Sequence, residues 1–195
     1  MFKSALTTII LASLGFAGAA NAGLIGVKSV RITNAVNDYL QVAEFQAFQS
    51  NTGLNVALAS AGATASTTSG SWDGNSTADK AIDGVFSNLT FPNMYHNASG
   101  TTGNLTITFA AVDELNSFTI YGRSDCCSDR DIYNVAFFGV SGNLLYTANS
   151  VNANNGLHMV NAVLPNTAVP EPTSIALIGL GLAGLCAAGR RKKQA

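Results

Sequence analysis

Period-two alternation of apolar and polar residues, cut into short runs by Gly, Asn and Ser, constrains this chain more than any other feature. Val30 and Ile32 begin it; Leu40 and Val42 follow, then Leu105, Ile107 and Phe109, then Phe118 and Ile120. Successive side chains of a strand point to opposite faces, so each run predicts a strand with one buried face. Further strands are predicted over 133–140, 144–148 and 157–164, the last after the turn signal Asn154-Asn155-Gly156. The 59–75 stretch, rich in Ser, Thr, Gly and Ala, is predicted as loops. No segment before the C-terminal tail carries sustained helical periodicity, and no internal repeat is visible. The pattern predicts one all-β domain built as an antiparallel sandwich.

The two ends have a different grammar. Lys3, an apolar stretch over 5–20 and the small-residue site Ala20-Asn21-Ala22 follow in the order of a secretory signal peptide, so residues 1–22 are expected to be removed after Ala22. At the other end, Val169-Pro170-Glu171-Pro172 precedes an apolar segment over about 174–189 and the basic run Arg190, Arg191, Lys192 and Lys193. That segment falls somewhat short of the roughly 20 residues that span a bilayer comfortably, which suits a transient transmembrane anchor. Its four cations would stay cytoplasmic. The order of motif, apolar helix and basic tail resembles the PEP-CTERM sorting signal of Gram-negative bacteria. The resemblance implies a tail read and removed by an exosortase, and a protein placed at the cell surface or in an exopolysaccharide or biofilm matrix. Within the tail, Gly179 to Gly184 imitates a dinucleotide-binding glycine pattern, but it follows no strand and opens no βαβ unit. Small residues packing along an apolar helix explain it better.

Between these ends lie roughly 146 residues, 23–168, in which Lys28, Arg31, Lys80, Arg123 and Arg130 face ten acidic side chains. A domain near −5 in net charge offers no basic face, and nucleic acid is excluded as a partner. The whole chain holds only three Glu and two His, which leaves few builders for acid–base catalysis, so no enzyme activity is expected. Neither a zinc-ligand helix nor a Gly-x-Ser-x-Gly elbow is present.

Against this sparse background, the 121–131 segment packs five charged residues and two cysteines into eleven positions: Arg123, Asp125, Cys126, Cys127, Asp129, Arg130 and Asp131 among them. It follows a predicted strand and is read as a loop. Cys126 and Cys127 are the only cysteines outside the removable tail, and an oxidising compartment favours their pairing. Such a bond closes almost no loop and adds little through chain entropy. A role at a site explains it better than a stapling role.

The segments Tyr39-Leu40-Gln41-Val42-Ala43-Glu44-Phe45, Ala81-Ile82-Asp83-Gly84 and 123–130 together resemble the discoidin, or coagulation factor 5/8 type C, superfamily of galactose-binding-like jelly rolls, and most of all its F-type lectin (fucolectin) branch. That branch binds fucose through a His, 26 intervening residues, and Arg-x-Asp-x-x-x-x-Arg or Lys, a spacing that His96, Arg123, Asp125 and Arg130 match. The resemblance implies that a Cys126–Cys127 disulfide touches the sugar ring. Two guanidinium forks would then offer fixed donors to ring and hydroxyl oxygens and His96 a further donor, with Asp125 orienting Arg123 or the loop. Tyr95 and the disulfide are expected to form the apolar platform. The resemblance also implies Ca²⁺, held by Glu44 and Asp83 with main-chain carbonyls of Ala43, Lys80 and Val85 as helpers. Glu44 stands near the start of the chain here, whereas its counterpart closes the domain in that family. This implies a circularly rearranged order, which requires the two ends of the sandwich to lie side by side.

Three functions are therefore in contention: a surface- or matrix-displayed lectin for fucose-type glycans, a structural matrix protein of the same fold without sugar affinity, and a hydrolase. The last needs carboxylates facing across a cleft, and Asp125, Asp129 and Asp131 crowd on one loop instead.

Overall fold

The alternating runs form strands whose apolar rows align across neighbours. The computed structural model describes residues 23–98, 100 and 103–167; the predicted signal peptide, the motif at 169–172 and the apolar segment at 174–189 lie outside the described residues. Nine strands occur among the described residues: β1 (Leu24–Asn34), β2 (Gln41–Val42), β3 (Glu44–Gln49), β4 (Thr64–Ser66), β5 (Tyr95–His96), β6 (Asn104–Tyr121), β7 (Ile132–Gly139), β8 (Leu144–Asn152) and β9 (Met159–Val163). Every pairing is antiparallel. Among the described residues no helix is long and apolar enough to cross a membrane.

β6 organises the molecule because its two halves have different neighbours. The first half pairs with β1 on one side and β4 on the other, and the second half pairs with β3 and β9. In the first layer Ile107 stands opposite Val30, which in turn stands opposite Phe137 of β7, and Leu105, Ile32 and Val135 form the next row. All six are buried. The second half of β6 closes over this layer: Phe118 stacks on Phe45 of β3 at 5.8 Å between ring centroids and meets Phe137 at 5.5 Å. Two antiparallel layers thus share one aromatic core, a β-sandwich.

Sequence alternation anticipates most of this, but it does not mark the two-residue β5 and differs in two further places. The runs around 105–109 and 118–120 are not two strands but parts of one, which turns from one layer to the other between them. Register shifts of β1 opposite this bend release carbonyls from the ladder. Lys28 Nζ donates to two of them, Phe109 O at 2.6 Å and Ala110 O at 2.9 Å. The second difference is β4, a short edge strand inside the stretch expected to be loop.

The two ends of the domain do lie side by side. Thr167 donates from Oγ1 to Gly23 O at 3.0 Å, and Ile25 N–H donates back to Thr167 Oγ1 at 3.2 Å.

Candidate functional site

Two short elements bring the distant parts of the sequence motif together. In the β2–β5 ladder Gln41 stands opposite His96. The Gln41 side-chain amide donates to Cys127 O and to Asp131 Oδ1, both at 2.9 Å. One residue therefore couples the histidine to the charged loop that begins 27 positions later. That segment is a loop as expected, closed by a single 3-10 turn at Ser128–Arg130.

Asp131 is the internal anchor of the loop, and sequence reasoning did not single it out. It is fully buried and accepts from Gln41 Nε2, from Arg123 N–H at 2.7 Å and from Tyr133 Oη at 3.0 Å. Burial raises its pKa to about 6 against the opposing pull of these donors. A Cβ at Gly122 would stand 2.2 Å from Asp131 Oδ2, so glycine is required where the strand passes this carboxylate.

Above this anchor opens a cleft of about 320 Å³ lined by Tyr39, Trp72, Phe91, His96, Arg123 and Arg130. Three residues of the spaced motif, His96, Arg123 and Arg130, thus line one opening. Arg123 is gripped in a two-point ion pair, Nε to Asp125 Oδ1 at 2.7 Å and Nη2 to Asp125 Oδ2 at 2.9 Å, and its guanidinium lies 5.2 Å from the Phe91 ring centre. The hydrogen bond from Arg123 holds the Asp125 carboxyl down at about 2. Arg130 lies 5.5 Å from the Tyr39 ring centre and sets Nε 3.3 Å from Asp38 Oδ2, without satisfying that nitrogen as a hydrogen-bond donor. Two cations and two carboxylates balance, so the cleft carries charged donors without net charge.

His96 enters with its role fixed by its neighbour. A carbonyl only accepts, so the 3.0 Å contact between Nδ1 and Asn97 O puts the proton on Nδ1. Burial foremost, with Arg123 and Arg130 adding to it, lowers the His96 pKa and keeps the ring neutral. Nε2 is then an acceptor. The resemblance implies a His96 that donates to a hydroxyl; with its proton on Nδ1, His96 is instead equipped to accept a hydrogen bond from one.

The expected platform is also corrected. Tyr95 is fully buried, its hydroxyl among Thr67 Oγ1 at 2.6 Å, Ser69 Oγ and the carbonyls of Gly70 and Asn104, and it does not reach the cleft. The apolar faces come from Tyr39, Trp72 and Phe91, whose rings pack around His96 at centroid distances of 5.3, 5.4 and 6.0 Å. Trp72, the chain's single tryptophan, is 54% exposed. It belongs to Gly70-Ser71-Trp72-Asp73-Gly74, and a large aromatic inside such a polar turn is the signal that could have marked it. Cys126 and Cys127 are joined by a disulfide. They sit between Arg123 and Arg130 on the outer side of the loop, with Cys126 exposed, and are not among the lining residues. His158 stays outside the cleft; its carbonyl accepts from Gly122 N–H at 2.8 Å.

The residues expected to hold calcium lie elsewhere, where β3 packs on the 3-10 helix Ala78–Ile82. Glu44 is fully buried; its Oε2 accepts from Gly84 N–H at 3.3 Å and its Oε1 has no partner. Burial, with the nearby Asp83 charge adding to it, raises the Glu44 pKa to about 8. Asp83 closes its turn by accepting from Val85 N–H at 2.9 Å and lies 3.8 Å from Lys80 Nζ. An orphaned, buried carboxylate oxygen beside a second carboxylate fits a hard divalent cation. Among the described residues no cluster of three or more His, Cys, Asp or Glu side chains is placed to hold a metal, so main-chain carbonyls, of which Ala43, Lys80 and Val85 are the expected ones, would complete such a shell.

No curated protein and no solved structure gives a significant match to this chain. Residues 168–192 match the PEP-CTERM protein-sorting motif, which implies export through an exosortase system with transient membrane anchoring in a Gram-negative bacterium.

Proposed function

We propose that the exported domain is a non-catalytic carbohydrate-binding module of the galactose-binding-like jelly-roll type, closest to the F-type lectins, which holds a terminal fucose-like sugar at the cell surface or in the matrix. The observation that carries this reading is the convergence of His96, Arg123 and Arg130 with three aromatic faces in one uncharged opening. A sugar presents an apolar ring face and hydroxyls that both donate and accept. Tyr39, Trp72 and Phe91 suit the first, and the guanidinium donors with the Nε2 acceptor suit the second. Calcium at Glu44 and Asp83 would neutralise a buried carboxylate and brace the turn after the 3-10 helix; no step of recognition depends on it.

The carboxylates of the cleft argue against hydrolysis. A glycosidase needs one carboxyl kept protonated as general acid, whereas Asp125 is held ionised by Arg123 and Asp38 sits beside Arg130. The same pairing favours the second reading, a structural matrix protein, because each guanidinium already has an internal partner. A glycan screen of the mature protein, with and without calcium, separates the two: saturable binding to fucose-terminated glycans supports the lectin, and no binding to any glycan supports the structural protein.

A further inference from the structure

The first described residue occupies a built socket. Gly23 is buried, and its N–H donates to Glu114 Oε1 at 2.7 Å. Its carbonyl accepts from Thr167, through Oγ1 at 3.0 Å and N–H at 3.3 Å. A Cβ at this position would stand 2.1 Å from Leu115 O and 2.3 Å from Ser50 Oγ, so no residue with a side chain fits. Ser50 is tied to the same strand by its N–H, which donates to Glu114 O at 2.9 Å, yet its Oγ is buried without a hydrogen-bond partner. The socket thus sets a carboxylate on the glycine nitrogen and an unused hydroxyl beside the same glycine's Cα.

We propose that the natural occupant of this socket is the α-ammonium group of Gly23, released when the signal peptide is cut after Ala22. Hydrolysis of the Ala22–Gly23 peptide bond consumes one water, leaves a carboxylate on Ala22 and gives Gly23 an amine that takes a proton at neutral pH. As an amide this nitrogen has one donor and no charge; as an ammonium it has three donors and a full positive charge. The bond to Glu114 becomes a charge-assisted ion pair, and Ser50 Oγ gains a donor. Cleavage therefore strengthens a contact that uncut chain makes only as a neutral hydrogen bond. Because Thr167 clasps Gly23 and the sorting motif begins one residue later, the socket ties both processed ends of the chain to the start of the second half of β6.

The test uses mature protein recovered from an exporting Gram-negative host. N-terminal sequencing should begin at Gly23, and the α-amine, followed by NMR on glycine-labelled protein, should titrate above its ordinary range of about 7.7–8.0. Acylation of that amine at neutral pH should be at least about tenfold slower than in Glu114→Gln, in which the amine should return to the ordinary range; a tenfold change corresponds to one pKa unit. Ser50→Ala should shift it in the same direction by less. If Glu114→Gln fails to fold, the wild-type titration alone decides. A mature chain that begins elsewhere, or a wild-type amine that titrates and reacts as an ordinary one, overturns the proposal.

Discussion

The second half of β6 joins two poles that use polar groups in opposite ways. Beyond Tyr121 the chain enters the Arg123 loop, where the side chains of His96, Arg123 and Arg130 line an opening walled by aromatic rings. At Leu115, six residues back and about 20 Å away at the rise of an extended strand, polar groups close on the chain's own ends: Glu114 on Gly23, and Thr167 on Gly23 and Ile25. One pole gathers polar side chains around an opening and the other spends them on the backbone.

Removing the anchor of the open pole should have the largest effect. Asp131→Ala leaves one N–H of Gln41 Nε2 and the Arg123 N–H short of an acceptor, each at about 1–3 kcal/mol, while Tyr133 Oη keeps Gln41 O at 2.8 Å. Chemical denaturation should show at least about 2 kcal/mol lost, and sugar affinity should fall although Asp131 lines no part of the cleft. Equal stability would mean that the loop is held by other contacts. Arg123→Ala should weaken binding by about 1.5–3 kcal/mol, about tenfold to a hundredfold, with thermal stability nearly unchanged, and calorimetry with fucose reads this directly. Arg123→Lys should not restore binding, because one ammonium does not reproduce a planar fork over Phe91.

A smaller effect separates Glu44 and Asp83, the residues expected to hold calcium, from both poles. Burial raises Glu44 to about 8 and Asp131 to about 6, so in the window between the unfolded and folded values the folded chain binds more protons than the unfolded chain. Without divalent cation, stability should therefore fall as pH rises from about 4.5 to 8. Calcium on Glu44 needs the carboxylate, so adding it should raise the melting temperature more at pH 8 than at pH 5. Scanning calorimetry with chelator and with excess calcium checks both signs, and Glu44→Gln should flatten the upper part of the pH dependence. A calcium response equal at both pH values, or none, would contradict a site at Glu44.

The alternation in β7 made its inward row of Tyr133, Val135 and Phe137 legible, because period two reports burial on one face of a single strand. The bend of β6 was not legible: the 110–114 stretch carries no Gly, Pro or Asn, and the register change of β1 beside it exists only in the folded chain. At the site, the spacing of His96, Arg123 and Arg130 was legible through resemblance. The aromatic walls were not, since Tyr39, Trp72 and Phe91 come from three loops that meet only in the folded chain. Asp131 hid among neighbouring acids, since only the fold distinguishes a buried carboxylate from the solvated Asp129 beside it.

Trp72 makes the central claim measurable in one experiment, because the single tryptophan of the chain stands in the cleft wall. Titrating fucose into the mature protein while following tryptophan emission should give a saturable change that weakens about tenfold or more in Arg123→Ala. Emission that is unaffected by fucose and by fucose-terminated glycans, in a folded protein with calcium present, would contradict a sugar site at this cleft.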